Sequence, residues 1–109
     1  MKRIAVCLAL LSAVPALAHQ LVVYAYADAG EVVVEARFSN GNPAKQGEIR
    51  LLNAEALVLV KAPLGDDGET RLAVPDGADG GLTVEVETDA GHSDYWILTP
   101  ADLGLEAGG

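Results

Sequence analysis

The chain has 109 residues, with 7 Lys and Arg against 16 Asp and Glu and a formal net charge of −9. That length suits one small domain and not two. The acidic balance argues against nucleic acid and anionic membrane surfaces as partners, because both call for basic patches.

The first segment has the pattern of a secretory signal. Lys2 and Arg3 precede an apolar stretch from Ile4 to Val14, and Ala16 and Ala18 put small residues at −3 and −1 of a cleavage point before His19. The apolar run of 11 residues falls well short of the roughly 20 that span a bilayer as a helix. Residues 1–18 are therefore expected to be a cleaved signal peptide, leaving a mature chain that is not itself membrane-spanning. Cys7, the single cysteine, leaves with the signal, so disulfides and thiolate metal ligands are excluded. Loss of Lys2 and Arg3 leaves 5 basic residues against 16 acidic ones, a net charge of −11.

From Gln20 onward the patterning has period two, with short runs separated by turns. Gln20 to Ala27 is rich in branched and aromatic residues and reads as a strand, followed by a turn at Asp28-Ala29-Gly30. Glu31 to Ser39 alternates, with Val32, Val34, Ala36 and Phe38 on one face and Val33, Glu35 and Arg37 on the other. Asn40-Gly41-Asn42-Pro43 is a turn cluster. Gly47 to Asn53 sets Ile49 and Leu51 against Glu48, Arg50 and Leu52, and Ala56 to Ala62 is a continuous apolar run that alternation does not phase.

Gly65-Asp66-Asp67-Gly68 lacks the ligand spacing of a calcium loop and reads as a hairpin connection. Beyond it, Thr70, Leu72 and Val74 point inward. Leu82 to Thr88 alternates with Glu85 and Glu87 outside, and His92 to Thr99 closes the series. About seven strands at this spacing, with no convincing helix, predict an all-β fold, an antiparallel β-sandwich of the immunoglobulin or transthyretin kind over residues 19–99. Residues 100–109 are weakly patterned and are expected to form a flexible tail. Tyr24, Tyr26, Tyr95 and Trp96 are expected to fill or flank a small core.

The chemistry concentrates on two histidines. Cleavage after Ala18 gives His19 a free α-amine beside its own imidazole, and these two nitrogens can chelate one metal ion. The only other histidine, His92, can supply a third nitrogen, completing a histidine brace. Nitrogen ligands in square-planar or tetragonal geometry suit Ni²⁺ and Cu²⁺. An α-amine titrates near pH 8 in model compounds, so binding releases protons and weakens as pH falls. Asp94 alternates onto the strand face of His92 and is a candidate further metal ligand; Asp89 lies just before the turn. Each also reads as a solvated surface charge.

No hydrolytic constellation is present. Ser39 and Ser93 are the only serines beyond the signal, and strand alternation sends Ser93 and His92 to opposite faces. A copper brace can activate oxygen, but such enzymes normally need a larger substrate platform than 91 residues. The expectation is a binding protein and not an enzyme.

The His19 start, the Asn40-Gly41-Asn42-Pro43-Ala44 turn, the acidic Asp66-Asp67-Gly68 turn and the late Gly91-His92 occur in this order. Together they resemble the small periplasmic accessory component of nickel or cobalt energy-coupling-factor transporters. Pro43 to Val86 also resembles the carboxypeptidase regulatory-like, transthyretin-type sandwich. The resemblance implies a periplasmic location, Ni²⁺ or Co²⁺ as the ion, and the membrane subunits of a metal transporter as partners. Such proteins can carry further C-terminal sequence, whereas this chain stops soon after Leu98. Two alternatives fit the same residues: a periplasmic Cu²⁺ carrier using His19 and His92, and a metal-free structural sandwich.

Overall fold

A computed structural model describes residues 19–105; the expected signal peptide and residues 106–109 lie outside them. Seven strands follow in order: β1 (Leu21–Asp28), β2 (Glu31–Phe38), β3 (Gly47–Leu52), β4 (Val58–Pro63), β5 (Glu69–Ala73), β6 (Leu82–Thr88) and β7 (Ser93–Leu98). They form a three-stranded sheet, β1-β2-β5, facing a four-stranded sheet, β4-β3-β6-β7, and every pairing is antiparallel. The sandwich expected from the alternating pattern is the fold.

Its core lies between the sheets. Val23 and Ala25 of β1, Val32, Val34 and Ala36 of β2, Ile49 and Leu51 of β3, and Val84 and Val86 of β6 are buried at the every-other-residue spacing that strands impose. Leu72 and Val74 are partly buried against this core, as their inward phase requires. Val33, on the opposite phase of β2, is nevertheless fully buried. It stands on the outer face between its cross-strand neighbours Tyr26 and Arg71.

Three local features depart from the sequence reading. The run beginning at Ala56 enters its strand only at Val58, because Ala56 sits at φ 66° in a turn closed by Asn53. The Asn53 Oδ1 accepts from the backbone N–H of Glu55 and of Leu57, each at 2.9 Å. The Gly65–Gly68 segment is no hairpin: β4 and β5 belong to different sheets, so it carries the chain across the sandwich. Gly68 lies at φ 83°, and a Cβ there would come within 2.8 Å of the Pro43 Cβ, so only glycine fits this crossing.

The third departure is the C-terminal stretch, where a tail was expected. Leu103 is buried and joins the core cluster, and Pro100–Gly104 is a bonded turn. Thr99 and Asp102 cap one another, with Thr99 N donating to Asp102 Oδ2 at 2.9 Å and Asp102 N to Thr99 Oγ1 at 3.1 Å.

The β1–β2 hairpin turns on Ala29 at φ 52° and Gly30 at φ 83°. Two positive φ values between paired Asp28 and Glu31 make a type I′ turn, where asparagine is favoured over alanine at the first central position. Ala29→Asn is therefore expected to stabilise the fold by about 0.5–1 kcal/mol, read as a rise in the midpoint of thermal unfolding. A lower midpoint would contradict this reading of the turn.

Candidate metal site at one end of the sandwich

The site begins with register. Leu21 pairs with Phe38 at one end of β1–β2, and Ser39 N donates to Gln20 O at 2.8 Å, extending the ladder one step toward His19. Gln20 N in turn donates to Ser39 Oγ at 3.2 Å. His19 follows directly and is exposed. At the same end, the β6–β7 turn carries His92, held by Thr88: Thr88 N donates to His92 O at 2.8 Å and His92 N to Thr88 Oγ1 at 3.1 Å. Gly91, at φ 92°, makes this tight return possible.

The His92 ring is half-buried and packs edge-to-face on Phe38, with ring centroids 5.4 Å apart and an interplanar angle of 76°. Phe38 is thus the link between the halves of the candidate site: its backbone pairs with Leu21, two residues from His19, and its ring supports His92. The fold brings the ends of β1 and β7 carrying the two histidines to one edge.

Asp94 is placed differently. Its Oδ2 accepts a hydrogen bond from Val23 N at 3.0 Å. The Gln20–Ser39 bond shows why that N–H is available: even-numbered residues of β1 bond to β2, so Val23 directs its N–H to the free edge. Asp94 therefore ties β7 to the edge of β1. Among the described residues, no three or more His, Cys, Asp or Glu side chains are gathered to hold a metal ion. Asp89 lies beside a shallow hollow lined also by Phe38, Lys45, Gln46 and Thr88. Lys45 makes that hollow less hospitable to a cation.

The outer faces are organised around two arginines. Arg50 reaches Glu48 at 2.8 Å, Glu87 at 2.9 Å and Glu85 at 3.5 Å. Arg71 reaches Glu31 at 3.2 Å, Asp28 at 3.3 Å and Glu69 at 3.6 Å. Hydrogen bonding, first to Glu87 for Arg50 and first to Glu31 for Arg71, holds each guanidinium above its usual range. Each arginine meets three carboxylates, so both faces remain net negative. Glu85 and Glu87, read from alternation as merely outward-facing, have a defined role in the first of these clusters.

Of the two places expected for the three tyrosines and the tryptophan, filling the core or flanking it, the structure excludes the first. The core cluster contains none of them. Tyr24 meets Trp96 edge-on at 5.0 Å between centroids and Tyr26 at 5.6 Å, across the seam where β1 and β7 meet. Among the described residues no helix is long and apolar enough to cross a membrane.

No family model matches the chain, and no curated protein matches it. Among solved structures, native alpha-2-macroglobulin from Escherichia coli, spanning domains NIE-MG1, is similar in fold, with a TM-score of 0.63 at 20% identity. The similarity covers 73% of this chain and 37% of that one. At that identity the likeness bears on architecture alone: this chain shares a β-sandwich with a segment of a much longer protein.

Proposed function

We propose that the protein is a periplasmic metal-binding accessory that assists nickel or cobalt uptake by a membrane transporter, with the mature N-terminal His19 as chelate and His92 as its partner. The observation that carries this reading is the shared edge: Phe38 pairs with the start of β1 and supports the ring of His92. The residues present fit an ion of this kind. His19 is exposed, so its imidazole and, after processing, its α-amine are accessible, and His92 is anchored without either carboxylate of its neighbourhood being required. A bound ion would draw on nitrogen donors, a set that suits Ni²⁺ and, by affinity order, Cu²⁺ still better. Asp94 serves this reading as the tie between the two strands.

Docking of the protein on a transporter membrane subunit would bring the captured ion to its entrance. The copper-carrier reading uses the same two histidines and is separated by the ion held in the cell. Calorimetric titration of protein beginning at His19 is expected to show one Ni²⁺ site, and His92→Ala to weaken it by roughly tenfold or more, about 1.4 kcal/mol. An unchanged isotherm for His92→Ala would remove the second histidine from the site.

A further inference from the structure

We propose that the aromatic seam between β1 and β7 is a docking face for a basic, apolar segment of a partner protein. Val22, Tyr24, Tyr95, Trp96 and Ile97 are each between 40% and 58% exposed and come together on this one seam. A hollow of about 520 Å³ lies among Val22, Asp94, Trp96 and Ile97. A second hollow continues it past Tyr24 and Tyr26 toward Asp102. All the tyrosines and the single tryptophan of the chain border this surface, while the core is built of valine, leucine, isoleucine and alanine. Large rings with a polar tip are the side chains that concentrate at protein interfaces and carry their binding energy. A contiguous exposed apolar patch of this kind marks an interaction site more often than ordinary surface.

The rim identifies the partner's chemistry. Tyr24 sits opposite Glu35 on β2, and Tyr95 opposite Glu85 on β6, so a carboxylate flanks the patch on each sheet. Asp94 and Asp102 add two more along the hollows. Arg37, opposite Val22, and Arg50, which reaches Glu85 at 3.5 Å and lies near Tyr95 and Asp94, are the basic groups on this rim, outnumbered by its carboxylates. The phenol of Tyr26 is held above its usual range, first by partial burial and next by Glu35 and Glu69, with Arg71 acting against them. Lysine or arginine side chains approaching the seam gain both from these carboxylates and from the ring faces of Tyr24 and Trp96. A second copy of this chain brings a like-charged rim, and an anionic lipid surface is repelled by a protein of net charge −9. The proposal does not depend on the metal reading.

The test is selection of a random 12-residue peptide library displayed on phage against the immobilised protein, followed by titration of the recovered peptides. The emission of Trp96, the single tryptophan, reports binding at the seam directly. The expected result is enrichment of sequences combining Lys or Arg with apolar residues, a saturable blue shift of Trp96, and roughly tenfold or greater weakening in the Tyr95→Ser and Ile97→Ser variants. Both substituted side chains are exposed, so the variants are expected to keep the parent's thermal midpoint, which is measured alongside. No enrichment, enrichment of acidic peptides, or binding indifferent to Tyr95 and Ile97 would overturn the proposal. So would a Trp96 shift produced instead by phosphatidylcholine–phosphatidylglycerol vesicles, or one that follows protein concentration alone.

Discussion

Acetylating the α-amine of His19 is expected to weaken Ni²⁺ binding on the order of a hundredfold, about 2.8 kcal/mol, relative to protein with a free His19 amine. The amine and the imidazole of one residue close a chelate ring, so the second nitrogen binds at high effective concentration once the first is engaged. Acetylation converts the amine to an amide, whose lone pair is delocalised into the carbonyl and is no donor near neutral pH. An unacetylated extra residue is a poorer control, since its own amine can join a new chelate. Calorimetry on the two forms measures the difference. Equal affinities would show that the amine takes no part, leaving side chains alone as ligands.

The second large effect is on stability. Ile49 is fully buried in β3, flanked by Ala62 on β4 and Val86 on β6. Ile49→Ala removes methyl groups from the middle of the four-stranded sheet and leaves a cavity that the surrounding strands cannot close without losing register. The expected cost is about 2–5 kcal/mol. A domain of this size has only about 5–13 kcal/mol in total. A loss near 3 kcal/mol corresponds to a fall of roughly 12–24 °C in the thermal midpoint. Ile97→Ala is the matched control, because Ile97 is 58% exposed and belongs to the seam. Its expected change is within about 0.5 kcal/mol. Similar losses for the two variants would contradict the assignment of the core.

Alternation made most of the fold legible before any coordinate. In β2, β3 and β6 a polar residue nearly always separates two apolar ones, so the inward faces could be read directly from Val32, Val34, Ile49, Leu51, Val84 and Val86. Where that signal lapses, the reading lapses with it. The run from Ala56 to Val60 offers no phase, and the turn set by Asn53 shortens the strand. Sheet membership of β5 was equally hidden, because a Gly-Asp-Asp-Gly turn serves a hairpin and a crossing between sheets alike. Leu103 lies in a stretch too short for periodicity, and its burial follows from the Thr99–Asp102 caps.

The site was legible in a different way. Chemistry singled out His19 and His92, but only the pairing of β1 with β2 and the packing of His92 on Phe38 bring them to one edge. The hydrogen bond from Val23 to Asp94 needs two strands in different sheets, and no local pattern announces it. The aromatic seam escaped notice for a related reason. Alternation gives each strand two faces, and it does not say that Tyr24 and Trp96 meet where two sheet edges converge.

The shared use of one ion by the two histidines is tested most directly by electron paramagnetic resonance of the protein beginning at His19, loaded with one equivalent of Cu²⁺. The expected spectrum is axial, with nitrogen hyperfine structure from two imidazoles and one amine, and His92→Ala is expected to lose one imidazole contribution. A spectrum that His92→Ala leaves unchanged would contradict the site.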